Sequence, residues 1–230
     1  MTGASSHAAD NRNPLEKAAT INYRSEVIRK GIHLCSLSIP LIYFFITRSM
    51  ALTLLLPLTA AFITVDLSRY YIPAVSRWFY RWFGWLLRQH EQDDGRKRLN
   101  GASNVLISAT LSVFLFPKII AINAFAILII SDTTSALIGR RFGKRRFFGK
   151  SLEGSLAFFL SAVLVVLVAP KIQYLPTEYA IGIAAAAIGA LVEAASVRID
   201  DNLSIPISIG LSLWGLYALV LPTLNLYALP

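Results

Sequence analysis

The feature that most constrains this chain is a set of long apolar runs, at 34–47, 51–65, 157–169 and 181–195, separated by compact polar clusters. A membrane-spanning helix needs about 20 mostly apolar residues at ~1.5 Å rise each. Seven segments come near that length: 27–47, 50–67, 101–116, 119–139, 154–169, 178–196 and 203–221. The expected fold class is therefore all-α, a polytopic integral membrane helical bundle with about seven transmembrane helices. The formal charge of +9 sits in a chain that is 55% hydrophobic, too apolar to stay disordered or to coat nucleic acid. A single cysteine, Cys35, excludes an internal disulfide and every Cys-based zinc site. Residues 1–25 are polar and lack an apolar h-region, so they read as a polar leader rather than a secretory signal. Without a repeat or a long linker, 26–230 reads as one domain.

Charge gives the bundle a side. Basic residues cluster before and at the start of the first span (Arg12, Lys17, Arg24, Arg29, Lys30), between spans two and three, between spans four and five, and at Arg198. Only Arg48, Lys118 and Lys171 of the 22 Lys and Arg fall on the other side. Positively charged connections stay in the cytoplasm, which puts the N-terminus inside and, after seven spans, the C-terminus on the opposite face. All acids but Glu178 lie on or near the cytoplasmic side. The stretch 74–90 in the longest connection predicts an amphipathic helix lying in the membrane interface, with Arg77, Arg81 and Arg88 on one side and Trp78, Phe79, Trp82 and Phe83 across the rest.

Four polar clusters interrupt the apolar pattern, and each needs a reason because an unpaired charge in a membrane is costly. In the first, Glu26, Arg29, Lys30 and His33 share one helical face at the inner end of span one, a stripe suited to an anion, although Arg29 and Lys30 also serve as ordinary anchors. The second is Asp132, about seven residues inside span four and so ~10 Å below the interface, where a carboxylate must face the interior and find a cation, a metal or a proton.

The third cluster runs from Gly139 through Arg140, Arg141, Gly143, Lys144, Arg145, Arg146, Gly149, Lys150, Ser151 and Glu153 to Gly154. Its glycines allow close backbone approach to phosphate, Lys150 supplies a compact charge, and Ser151 can cap the following helix. Five residues separate Gly143 from Gly149 and no strand is expected before it, so it is not a Walker A loop. The arginines of this run read equally as a basic anchor. The fourth cluster is Glu193 followed by Asp200-Asp201-Asn202, oxygen ligands suited to Mg²⁺ or, alternatively, a cap for span seven from Asn202 or Asp201. Lesser signals are Asn100 to Asn104 at the start of span three and the i, i+3 pair Asp66 and Arg69.

In order along the chain, these motifs resemble the polyprenol kinase family of dolichol kinases, phytol kinases and fungal CTP-dependent diacylglycerol kinases. Glu26…Arg29-Lys30…His33, Ser131-Asp132…Gly139-Arg140…Gly143-Lys144, Lys150 to Ser155 and Glu193…Asp200-Asp201-Asn202…Pro206 carry the likeness. Ser131 stands where members commonly have Gly, and the compact length is more similar to phytol kinase and its bacterial relatives. The resemblance implies transfer of the γ-phosphate of CTP to the hydroxyl of a membrane lipid alcohol, either an isoprenoid alcohol or diacylglycerol, with Mg²⁺. It implies metal ligation by Asp132, Glu193, Asp200, Asp201 and Asn202, and nucleotide binding by Arg29, Lys30, Gly139, Gly143, Gly149, Lys150, Ser151, Glu153 and Gly154. Asp132 and His33 compete for the role of general base. Phosphatidate cytidylyltransferases share CTP, magnesium and the membrane setting, so a CDP-lipid synthase is the alternative, followed by a transporter or structural membrane protein. Nothing in the sequence speaks to an oligomeric state.

Overall fold

The computed structural model describes residues 23–84, 99–196 and 200–228. Among these residues the chain forms nine helices: α1 (Tyr23–Cys35), α2 (Ser38–Phe45), α3 (Arg48–Ser68), α4 (Pro73–Phe83), α5 (Gly101–Leu115), α6 (Lys118–Phe142), α7 (Leu152–Val168), α8 (Pro176–Ala195) and α9 (Asp201–Val220). The expected leader before Tyr23 and the segment 85–98 lie outside the described residues.

Five stretches are long and apolar enough to cross a membrane: Glu26–Phe45, which combines most of α1 with α2, then α3, α6, α8 and α9. Five of the seven expected spans thus reach full length, and the other two, α5 and α7, are apolar helices of 15 and 17 residues. Span one is not one helix. Pro40 lacks an amide hydrogen and its ring conflicts with the carbonyl four residues back, so α1 ends in a turn at Ser36 and Leu37 and α2 restarts with Pro40 in its first turn. Of the helix expected over 74–90, residues up to Phe83 form α4, with Pro73 at its first turn, and 85–90 lie outside the described residues. Its Trp78 and Trp82 are exposed, and only Phe79 is buried, under the Arg69 guanidinium at 4.9 Å.

The core is built around α6, which is apolar on nearly every side and is packed by α1, α2, α5, α7 and α9. Ile127, Leu128 and Ile129 of α6, Phe158 of α7, and Ile205 and Ile209 of α9 are fully buried. The outer faces carry aliphatic side chains at helical spacing, such as Leu156, Leu160 and Leu164 on α7, all more than half exposed. That is the surface expected of a chain solvated by lipid.

One end of the bundle is closed by hydrogen bonds. The buried Glu178 carboxylate accepts from the backbone N–H of Ile172, Gln173 and Leu175 at 2.9–3.0 Å and from the Tyr217 hydroxyl at 3.3 Å. Lys171 Nζ donates to the carbonyls of Val166 and Ala169 at 2.6 and 2.7 Å. The opposite end gathers the remaining polar clusters. There the chain makes its one departure from all-α structure among the described residues, a hairpin of β1 (Arg146–Phe147) and β2 (Lys150–Ser151) in antiparallel register.

Candidate active site

Along α1 the anticipated stripe divides between two partners. Glu26 is 2% exposed and its carboxylate accepts from Arg29 on its own helix and from Arg140 Nη2 on α6 at 3.2 Å. Lys30, equally buried, reaches across to α6, where Nζ donates to Asp132 Oδ2 and to the Asp132 carbonyl at 3.2 Å. His33 Nε2 stands 3.5 Å from the same Oδ2. An i, i+3 step along α1 thus sets the cation and the imidazole over one carboxylate. Asp132 lies deeper than expected. α6 continues past Gly139 to Phe142, ten residues beyond Asp132 or ~15 Å, with Arg140 of its last turn held by Glu26.

The glycine-rich run has a packing use. A Cβ on Gly154 would lie 2.9 Å from Ser151 Oγ and 3.2 Å from both Gly139 Cα and the Ser135 carbonyl. A Cβ on Gly143 would meet the Gly139 carbonyl and Ser151. These glycines let α6 and α7 cross in backbone contact. The loop amides are also engaged. Those of Lys144 and Arg145 donate to the Glu153 carboxylate at 3.0–3.3 Å, that of Gly149 to the Ala194 carbonyl at 3.1 Å, and that of Gly154 to Ser151 Oγ at 3.2 Å. What the loop presents inward is the side chain of Lys150.

The hairpin delivers Lys150 between two acids from different helices. Its Nζ is 2.7 Å from Glu193 Oε1 on α8 and 2.8 Å from Asp201 Oδ2 on α9. Burial disfavours the ammonium, but the carboxylates of Asp201 and Glu193 outweigh it and hold Lys150 above the usual lysine range. Glu193, 1% exposed, is also held by the hydroxyls of Ser135 at 2.8 Å and Ser155 at 3.1 Å. Asp201 Oδ1 is buried and has no hydrogen-bond partner among the described residues.

The cap of the last span is Asp200, not Asp201 or Asn202, because Asp200 is the last extended residue before the helix and its carboxylate reaches a first-turn amide. Its Oδ1 accepts from the Asn202 amide at 2.9 Å and from Asn202 Nδ2 at 2.8 Å, and its Oδ2 from Asn104 Nδ2 on α5 at 3.0 Å. The Asp66–Arg69 pair forms at 3.0 Å, and Asp66 Oδ2 also accepts from the Asn100 amide at 2.6 Å, tying α3 to the start of α5.

Every site residue read from the sequence thus lies at one end of the bundle. Asp132, Lys30 and His33 meet in one group; Lys150, Glu193 and Asp201 meet in a second. Arg140, Ser135, Ser155 and Asn104 join them without having been given a site role. Only Ser135 carried a usable signal, standing one helical turn from Asp132. Among the described residues no three of His, Cys, Asp or Glu gather closely enough to form a metal cage. Two features nevertheless fit a divalent cation, the buried Asp201 oxygen without a partner and the ammonium already seated between two carboxylates. Mg²⁺ is commonly held by one or two carboxylates and completed by phosphates and water.

Comparison with known proteins gives three informative relatives. An uncharacterized protein of Rickettsia prowazekii is 33% identical over 195 residues, covering 84% of this chain and 95% of the relative. An uncharacterized protein of Methanocaldococcus jannaschii is 36% identical over 143 residues, 60% of this chain and 65% of the relative. The CTP-dependent diacylglycerol kinase 1 of Schizosaccharomyces pombe is 34% identical over 103 residues, 44% of this chain and 45% of that enzyme. No family model and no solved structure matches.

Proposed function

We propose a function for a chain that belongs to one family with the uncharacterized Rickettsia prowazekii protein: CTP-dependent, magnesium-assisted transfer of a phosphoryl group to the hydroxyl of a membrane lipid alcohol. The observation that carries the reading is the meeting of two lysine–carboxylate groups, Lys30 with Asp132 and Lys150 with Glu193 and Asp201, at one end of an apolar bundle. Partial similarity to a CTP-dependent diacylglycerol kinase supports the nucleotide and the reaction class. The acceptor is an isoprenoid alcohol or diacylglycerol, and the site faces the cytoplasm, where CTP is found.

Phosphoryl transfer asks a protein mainly for positioning and charge neutralisation. In the transfer, the bond between Pγ and the β,γ-bridging oxygen of CTP breaks, the lipid oxygen bonds to Pγ, and the hydroxyl proton leaves, giving CDP and a lipid phosphate. Asp132 orients the hydroxyl, with His33 beside it to take up the proton. Arg29, Arg140 and Lys150 face the polyphosphate. Within the two groups, two ammoniums (Lys30, Lys150) meet three carboxylates (Asp132, Glu193, Asp201), so these side chains alone offer a triphosphate no net positive charge. A bound Mg²⁺ would supply that charge, neutralising the β- and γ-phosphates from Asp201 and Glu193.

The test is to incubate purified protein with CTP, Mg²⁺ and a panel of phytol, geranylgeraniol, polyprenol and diacylglycerol, and to identify both nucleotide and lipid products. CDP with a lipid phosphate is the expected result. Pyrophosphate as the sole nucleotide by-product, with phosphatidate converted to a CDP-lipid when supplied, would replace the kinase with a cytidylyltransferase. No turnover of any nucleotide would leave a transporter or structural role.

A further inference from the structure

Lys150 sits where a cation is wanted. Its Nζ lies within 2.8 Å of one oxygen from each of two carboxylates on separate helices, and a second oxygen of Asp201 is buried beside it without a partner among the described residues. Each oxygen would need to close in by only roughly 0.7 Å to ligate Mg²⁺ at ~2.1 Å. Glu193 is fixed for this by Ser135 and Ser155, so its carboxylate stays in place whichever cation occupies the gap. Lys150 is differently placed. It hangs from a two-residue hairpin strand on a long flexible stem, and its side chain is 28% exposed, so it can swing out without unpacking a helix.

We propose that the Lys150 ammonium is a tethered stand-in for the divalent cation, occupying its position between Glu193 and Asp201 in the empty protein and moving onto the nucleotide phosphates when the metal enters. The proposal rests on the metal-assisted reading above and adds an order to it. Two carboxylates and one ammonium carry a net charge of −1, which a divalent ion replaces with 0 while releasing one positive charge toward the triphosphate. Metal alone must therefore compete with Lys150. Metal accompanied by phosphates does not, because the phosphates receive the displaced ammonium. The device keeps two buried carboxylates paired in the absence of substrate, when an uncompensated charge there would be costly.

The experiment measures Mn²⁺ binding to the full chain in detergent without nucleotide, by the loss of the free-ion electron paramagnetic resonance signal. Lys150→Met and Lys150→Gln should bind Mn²⁺ at least ~10-fold more tightly than the wild type, and adding Asp201→Asn to either should abolish the gain. A second measurement uses the wild type alone: saturating Mn²⁺ should raise the acylation rate of Lys150 by an amine-directed reagent, read by mass spectrometry. Equal affinity in wild type and both Lys150 variants, or a Lys150 amine whose reactivity ignores Mn²⁺, overturns the proposal. If that happens while the wild type still turns over CTP with metal, the exchange is wrong and the kinase reading stands. If the gain in Mn²⁺ affinity appears without CTP turnover, the exchange stands and the kinase reading falls.

Discussion

Asp132 and Lys30 are each buried, and each is the other's charge partner. Neutralising only one therefore leaves a buried charge, and breaking such a pair costs about 3–5 kcal/mol. Asp132→Asn should abolish turnover and also lower stability by roughly that amount, whereas Lys30→Met with Asp132→Asn should recover much of the stability and none of the turnover; thermal unfolding of the two variants checks the pair. A single variant as stable as wild type would mean that the ion pair contributes nothing. Lys150 gives a separate pH prediction. Its folded pKa is raised, so its contribution to stability is complete below the unfolded value of about 10.4 and is lost as pH climbs through the folded one. Stability between pH 6 and 9 should carry no step from Lys150, and the alkaline loss that wild type shows should shrink in Lys150→Met. At this scale depth was the readable signal. A carboxylate within an apolar span and a lysine beside glycines stand out against their surroundings, so Asp132 and Lys150 were legible. Arg140 was hidden in a run of basic residues, and nothing in its spelling distinguishes it from Arg141. Serines inside a helix look alike until a neighbouring helix brings a carboxylate to two of them.

The elements owe their placement to backbone contact, above all where α6 and α7 cross at Gly139 and Gly154. A methyl on Gly154 meets the Ser135 carbonyl and Gly139 Cα, both backbone atoms that cannot rotate away. Gly154→Ala should destabilise the protein by roughly 1–3 kcal/mol through overpacking, and should cost more activity than the stability loss explains, because Ser135 and Ser155 flank the contact and hold Glu193. Gly215→Ala is the control: a Cβ there meets nothing within 4 Å, so that helix position should gain up to ~1 kcal/mol. Chemical denaturation of both, alongside CTP turnover, separates a packing defect from a site defect. The apolar runs made the helices legible because lipid leaves a chain few other ways to satisfy its backbone. Three details were not. Pro40 splits span one because a ring conflict acts on a particular carbonyl. The two-residue strands of the hairpin are too short to carry a period. The packing role of the glycines was hidden because sequence does not reveal that α6 would lie against them.

At the scale of the whole molecule, one end each of α1, α6, α8 and α9 meet through direct side-chain contacts, while Lys171 and Glu178 close the opposite end. Sequence charge had already separated these two faces, since the same rule that orients a membrane protein sorts its lysines and arginines. Which face is cytoplasmic follows from that rule and can be tested by labelling. With Cys35 replaced, single thiols at the exposed positions Arg77 and Arg146 sample the basic face, and thiols at the exposed Ser49 and Gln173 sample the other. In sealed, oriented vesicles, an impermeant maleimide should label 77 and 146 only when the cytoplasmic side is open, and 49 and 173 only from outside. Position 146 matters most, since it lies in the hairpin that carries Lys150. Labelling of 146 from the outer side would put the nucleotide site where cytoplasmic CTP does not reach, and the proposed reaction would fail even with every residue contact intact. Labelling of 77 and 146 from different sides would contradict the bundle itself, because α3 and α4 reach the same end as α6 through Asp66, Asn100 and the Asn104–Asp200 bond.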